Sequence, residues 1–285
     1  MHARPVLSLA ALVALAVTAL PIAAQDRDRD FDDDDWLADC RDESSYRRGR
    51  RFKHCELRES GMRPVGGALR VDPGRNGGVA VRAWDRDSVH VVAKIQVQGG
   101  SAQSAEELAR EVRIVTRGGT IHAEGPSGLA RDEWWSVSFE VYTPLRTDLD
   151  LATENGPLSV RGVHGRMQLS ARNGPVALRG VAGDVRARVQ NGPLSVFLDG
   201  ARWVGTGLDA ETVNGPAVLA IPEGYSADLE TGTVNGPMSL EFPLTVTVQG
   251  RFSTRRLNTK LGDGGPPVRV VTTNGPLVIR RRGGA

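Results

Sequence analysis

The residues best placed to do chemistry are three acids at equivalent positions of an internal repeat, Asp150, Asp209 and Glu230. Two carboxylates facing a sugar across a cleft can cleave a glycosidic bond, and clustered carboxylates can hold a catalytic cation. The same column also carries Arg186 and Arg269, so a cross-strand charge ladder accounts for it at least as well. The histidines stand at 2, 54, 90, 122 and 164, and no Ser sits in a Gly-x-Ser-x-Gly elbow. His90 and His122 alternate with apolar residues as exposed strand positions, and His164 takes the turn place that Ala182 has one repeat later. Four adjacent aspartates at 32–35 lack the interleaved Gly of a calcium loop. No catalytic residue, metal-ligand set or cofactor is therefore assigned. Flat rings on a rigid sheet are the better lead, because they stack on sugars or anchor a protein partner. Trp134 and Trp135 are adjacent in a predicted strand, so one of them faces out, and Trp203 lies in an expanded loop of the repeat. These three tryptophans form the candidate binding surface.

The elements that must position such rings follow from the rest of the chain. It opens MHARPVLSLAALVALAVTALPIAAQ, a basic start, an apolar run and a small-residue end. This reads as a signal peptide over 1–24, which places the mature protein outside the cytoplasm, periplasmic or secreted. No later run reaches the roughly 20 apolar residues of a membrane span, so no integral membrane segment is expected after cleavage. With 36 basic and 34 acidic residues the net charge is +2, which gives no case for nucleic acid. Residues 25–62 read as a charged linker, an acidic run (QDRDRDFDDDD) followed by a basic one (YRRGRRFK). Within it Cys40 and Cys55, the two cysteines of the chain, are expected to pair in an oxidising compartment.

Asn-Gly-Pro occurs at Asn155, Asn173, Asn191, Asn214, Asn235 and Asn274, and Asn76-Gly77-Gly78 resembles a further copy with Gly in place of Pro. The first and third residues after each Pro are apolar in every copy, for example Leu158 and Val160, or Met238 and Leu240. The residue between them is mixed, Ser159, Ala177 or Ser195. That period of two gives each strand one buried face. Another strand enters each turn, led by Leu149, Met167, Val185, Leu208, Leu229 and Val268.

Asn-Gly between alternating strands ordinarily signals a hairpin. The following Pro opposes that here, because it cannot donate the N–H that closes a two-residue turn. The expectation is instead a corner between successive sides of a coil. Residues 63–285 are then one all-β domain, a parallel β-solenoid whose turns stack in series. An antiparallel β-sandwich is the alternative. The 39-residue gap before Asn274 reads as two units with one turn rewritten around LGDGG at 261–265. One short helix is expected in SAQSAEELAREV, with a capping box from Ser104 to Glu107 and apolar Ala105, Leu108, Ala109 and Val112 on one side. It would cover the end of the coil.

NGGVAVRAWDRDSVHVVAKIQVQ, then the Ala- and Glu-rich helix, then WWSVSFEVYTP and serial Asn-Gly turns together resemble the bacterial putative-adhesin family of extracytoplasmic β-helical domains. The resemblance implies a right-handed β-helix-like fold and brings no active site. The reading reached is a non-catalytic extracytoplasmic binding, adhesin-like or envelope scaffold protein, with an envelope glycan or protein as partner. The alternative is a glycan-active lyase or hydrolase on a β-helix scaffold.

Overall fold

A computed structural model describes residues 36–40, 52–64, 66–241 and 253–282. The expected leader, the acidic run at 25–35 and most of the basic run lie outside these residues. Two ten-stranded sheets face each other over one core. Sheet I runs β1 (Phe52–Met62), β4 (Val89–Gly99), β7 (Trp134–Pro144), β3 (Val79–Trp84), β9 (Leu158–Arg161), β11 (Val176–Arg179), β13 (Leu194–Phe197), β15 (Ala217–Ile221), β20 (Leu277–Arg281), β17 (Met238–Leu240). Sheet II runs β18 (Arg256–Leu261), β16 (Ala227–Asn235), β19 (Pro267–Asn274), β14 (Gly207–Asn214), β12 (Ala182–Asn191), β10 (His164–Asn173), β8 (Leu149–Asn155), β2 (Leu69–Asp72), β6 (Thr120–Glu124), β5 (Arg113–Arg117). The period-two pattern decides the facing: Leu158, Val160, Val176 and Leu178 of sheet I meet Leu149, Leu151, Met167 and Leu169 of sheet II, all at 3% exposure or less. No helix among the described residues is long and apolar enough to cross a membrane.

The expected parallel β-solenoid is overturned by the strand pairing. Both sheets are mixed: β1–β4, β4–β7, β5–β6 and β16–β18 are antiparallel, while the Asn-Gly-Pro copies pair in parallel. The copies also do not stack in chain order. The last one, β19 and β20, lies between β14 and β16 in sheet II and between β15 and β17 in sheet I. The stretch read as a rewritten unit instead holds β18, antiparallel to β16. The body is a two-layer sandwich of mixed sheets.

Charge favours that insertion. Serial stacking would set Asp209 beside Glu230, two like charges directly opposite. With β19 between them, Arg269 is registered against both. Its Nη1 lies 2.7 Å from Asp209 and 3.2 Å from Glu211, and its Nε 3.6 Å from Glu230. Exposed pairs contribute only about 0–1 kcal/mol each, so they select the neighbour rather than hold it. Val268, Val270, Leu277 and Ile279, all at 0% exposure, supply the burial.

Each turn is shaped by close approach. A Cβ on Gly174 would lie 2.1 Å from the Gly156 carbonyl oxygen, and one on Gly192 2.2 Å from that of Gly174. Only Gly lets the corners stack this tightly. The Asn residues need no left-handed backbone, since no non-Gly residue has positive φ among the described residues. Two residues before three of the Asn, Thr212, Thr272 and Thr233 donate to the carbonyls of Gly192, Gly215 and Gly275 in the neighbouring copy. The Pro carbonyls enter the ladder as acceptors, Leu158 N–H to Pro175 and Val176 N–H to Pro193, each at 2.9 Å.

Three further expectations change. β1, placed in the linker, pairs with β4 over its full length and forms one edge of sheet I. The helix Ala102–Glu111 is capped by Ser101, whose side chain accepts from Ser104 N–H while Ser104 Oγ accepts from Ser101 N–H; the helix starts one turn before the expected box. Its Ala105, Leu108 and Ala109, with Val112, enter the core, and Arg58 donates to the carbonyls of Ala109 and Val112 at its end. Leu240, read as a core residue, is 47% exposed because β17 is the edge of sheet I.

Candidate functional site

The acid column is a charge ladder. Across sheet II its register runs Asp150, Gln168, Arg186, Asp209, Arg269, Glu230. Asp209 accepts from Arg188 and Arg269. Burial acts to raise its carboxyl, but those two guanidinium groups outweigh it and hold it below the ordinary value. A general acid in glycoside cleavage needs the opposite shift. Asp150 pairs with Arg70 at 3.0 Å. His90 stacks with Trp84, and His122 and His54 each lie beside a glutamate of their own strand. His164 opens β10 and lines a hollow of about 510 Å³ with Arg146, Asp148 and Gly165.

The tryptophans divide sharply. Trp203 is 3% exposed, and its indole N–H donates to the Gly183 carbonyl at 3.1 Å. It fills the core beneath its loop and offers no binding surface. Trp135 packs on the core from the inner side of β7 and donates to Pro126 O at 3.0 Å. Trp84 donates to Ser88 O. Trp134, one residue before Trp135, is on the outer face, half-buried, and its indole N–H has no acceptor among the described residues.

Trp134 sits where the repeat changes character. The Asn side chains form a one-way amide ladder, each Nδ2 donating to the next Oδ1: Asn235 to Asn274, to Asn214, to Asn191, to Asn173, to Asn155, to Asn76. Asn76 accepts from Asn155 at 3.2 Å, and its own Nδ2 has no acceptor among the described residues. Beyond it, β4 and β7 at 11 residues each overrun the six-residue β3. The overhang walls a hollow of about 420 Å³ lined by Asn76, Asn155, Trp134, Ser136, Ser138 and Pro157 with the turn glycines. Gly78, standing where six other copies have Pro, donates its N–H to Ser138 Oγ at 3.0 Å. Ser136 and Ser138 were not singled out from sequence, although the W-S-S alternation in WWSVSFE was visible; Gly78 was noted there only as the Gly that replaces Pro. The hollow lined by His164 and another beside Asn235 and Arg255 carry no Trp, Tyr or Phe.

Cys40 and Cys55 form a disulfide with their Cα atoms 6.4 Å apart. Cys55 lies on β1, so the bond fastens the preceding segment to the edge of sheet I. No group of metal-ligating side chains occurs among the described residues.

No family model and no curated protein matches this chain. Among solved structures it is similar to a putative cell adhesion protein from Clostridium sporogenes, at 11% identity and TM-score 0.42, over 80% of this chain and 100% of that one. It is also similar to a putative adhesin from Bacteroides fragilis, at 10% identity and TM-score 0.32 over 80% and 97%. A putative lipid binding protein from Parabacteroides distasonis gives 11% identity and TM-score 0.31 over 81% and 97%. At this level of identity and superposition, the reading of this chain rests on its own residues.

Proposed function

We propose that this protein is an extracytoplasmic, non-catalytic binding protein, adhesin-like in character, that engages an envelope glycan or protein through the outer face of sheet I. The observation that carries the reading is the Trp134 hollow, an aromatic ring with an unused indole donor at the end of a rigid amide ladder. A disulfide between Cys40 and Cys55 fits an oxidising compartment. The near-neutral charge favours recognition by shape and hydrogen bonding over electrostatic capture. Of the acids that a lyase or hydrolase would use, Asp209 and Glu230 are instead joined through Arg269, and Asp150 pairs with Arg70.

The test is quantitative capture of a defined envelope component by the immobilised protein, compared with Trp134→Ala. Loss of capture by Trp134→Ala at an unchanged melting temperature supports the reading. Undiminished capture removes the site. Polysaccharide turnover that Asp209→Asn abolishes would overturn the non-enzyme reading itself.

A further inference from the structure

Resting on the binding reading above, we infer that the Trp134 hollow is a carbohydrate subsite selective for an uncharged sugar unit. Every side chain lining it is neutral, although charged residues make up 25% of the chain. An acidic sugar would leave its carboxylate there without a cationic partner, while a neutral one loses nothing. The volume of about 420 Å³ lies within the roughly 300–1,000 Å³ of small-ligand sites.

The polar groups lining the hollow are of the kinds that pair with hydroxyls. Asn76 Nδ2 and the Trp134 indole N–H are donors with no acceptor among the described residues. Ser138 Oγ accepts from Gly78 N–H at 3.0 Å, so its own O–H proton remains to be given outward. Ser136, two residues earlier on the same face of β7, supplies a second hydroxyl able both to donate and accept. The Trp134 ring lines the hollow and supplies an apolar aromatic surface on which the C–H side of a sugar ring can pack.

The departure from the repeat is what makes this place a site. In the other copies the position of Gly78 is Pro, which has no N–H, and the Asn amide is taken by the next Asn in the ladder. Here the ladder ends, the N–H is present and fixes Ser138, and β7 overhangs the corner. Trp84, Trp135 and Trp203 all have backbone acceptors for their indole N–H; Trp134 has none among the described residues.

The experiment is calorimetric titration of the full processed protein with neutral tetrasaccharides of hexose and of N-acetylhexosamine, and with tetragalacturonate as the acidic counterpart. Binding of a neutral oligosaccharide is expected, with a change in tryptophan fluorescence. Trp134→Ala should weaken it tenfold or more and abolish the fluorescence change. Asn76→Asp keeps the oxygen that Asn155 donates to and removes the Nδ2 donor, so it should leave the melting temperature in place and weaken binding by a similar factor. No binding of any neutral oligosaccharide, preference for tetragalacturonate, or indifference to both substitutions would overturn the inference. Capture of an envelope protein that still depends on Trp134, without neutral sugar binding, would leave the proposed function standing and discard the carbohydrate subsite alone.

Discussion

Truncating Ile279 to Ala tests the strand order directly. In a serial stack the last repeat is an end, and its side chains are half solvated. Here β20 is flanked by β15 and β17, and Ile279 is at 0% exposure. Removing a fully buried aliphatic side chain costs about 2–5 kcal/mol, transfer and cavity contributions together. Leu240, its registered partner on β17, is 47% exposed. Full burial of a Leu is worth roughly 1.5–3 kcal/mol, so Leu240→Ala should cost about 1 kcal/mol. Urea titration followed by circular dichroism gives both values if the slope is unchanged. A loss of about 3 kcal/mol corresponds to a fall in Tm of roughly 6–12 °C for a chain of this size. If Leu240→Ala costs as much as Ile279→Ala, β20 is not enclosed and the order of both sheets is wrong.

Trp203→Ala should destabilise by about 3–5 kcal/mol as a core truncation, in contrast to Trp134→Ala; equal melting temperatures for the two would contradict the division of roles. Gly174→Ala puts a Cβ 2.1 Å from the Gly156 oxygen and should cost about 1–3 kcal/mol as overpacking, while Ser159→Ala, on the outer face, stays within about 0.5 kcal/mol. Asp209 has a folded pKa below its usual value of 3.8, so its contribution is present above that pH and is lost as pH falls through the folded value. Asp209→Asn should therefore flatten the acid side of the stability curve below about pH 4, and an unchanged acid limb would remove the ladder's role. Reducing Cys40–Cys55 should release residues ahead of β1 to proteolysis with the strand signal retained; complete unfolding would place that bond at the heart of the body.

The sequence alone determined the local rules. Period-two alternation marked the inward residues of nearly every repeat strand, Leu158, Val160, Val176 and Leu178 among them, because side-chain facing in a strand is a property of the chain itself. The helix was visible for the same reason, although its cap fell at Ser101 rather than Ser104. Pairing two cysteines needed only their number and a compartment. Which strand lies beside which was decided by tertiary structure. Asn274 follows Asn235 along the chain, yet stands between Asn214 and Asn235 in the ladder, since the repeats are similar enough to accept one another in any order. Choosing among such orders takes contacts from all neighbours at once, such as Arg269 lying between Asp209 and Glu230. The tryptophans show the same limit: alternation told that one of Trp134 and Trp135 points out, but only the packing of the 199–206 loop buried Trp203. The Trp134 hollow arises where long antiparallel strands overrun a short parallel one, a difference in length that acquires meaning only once the strands are side by side.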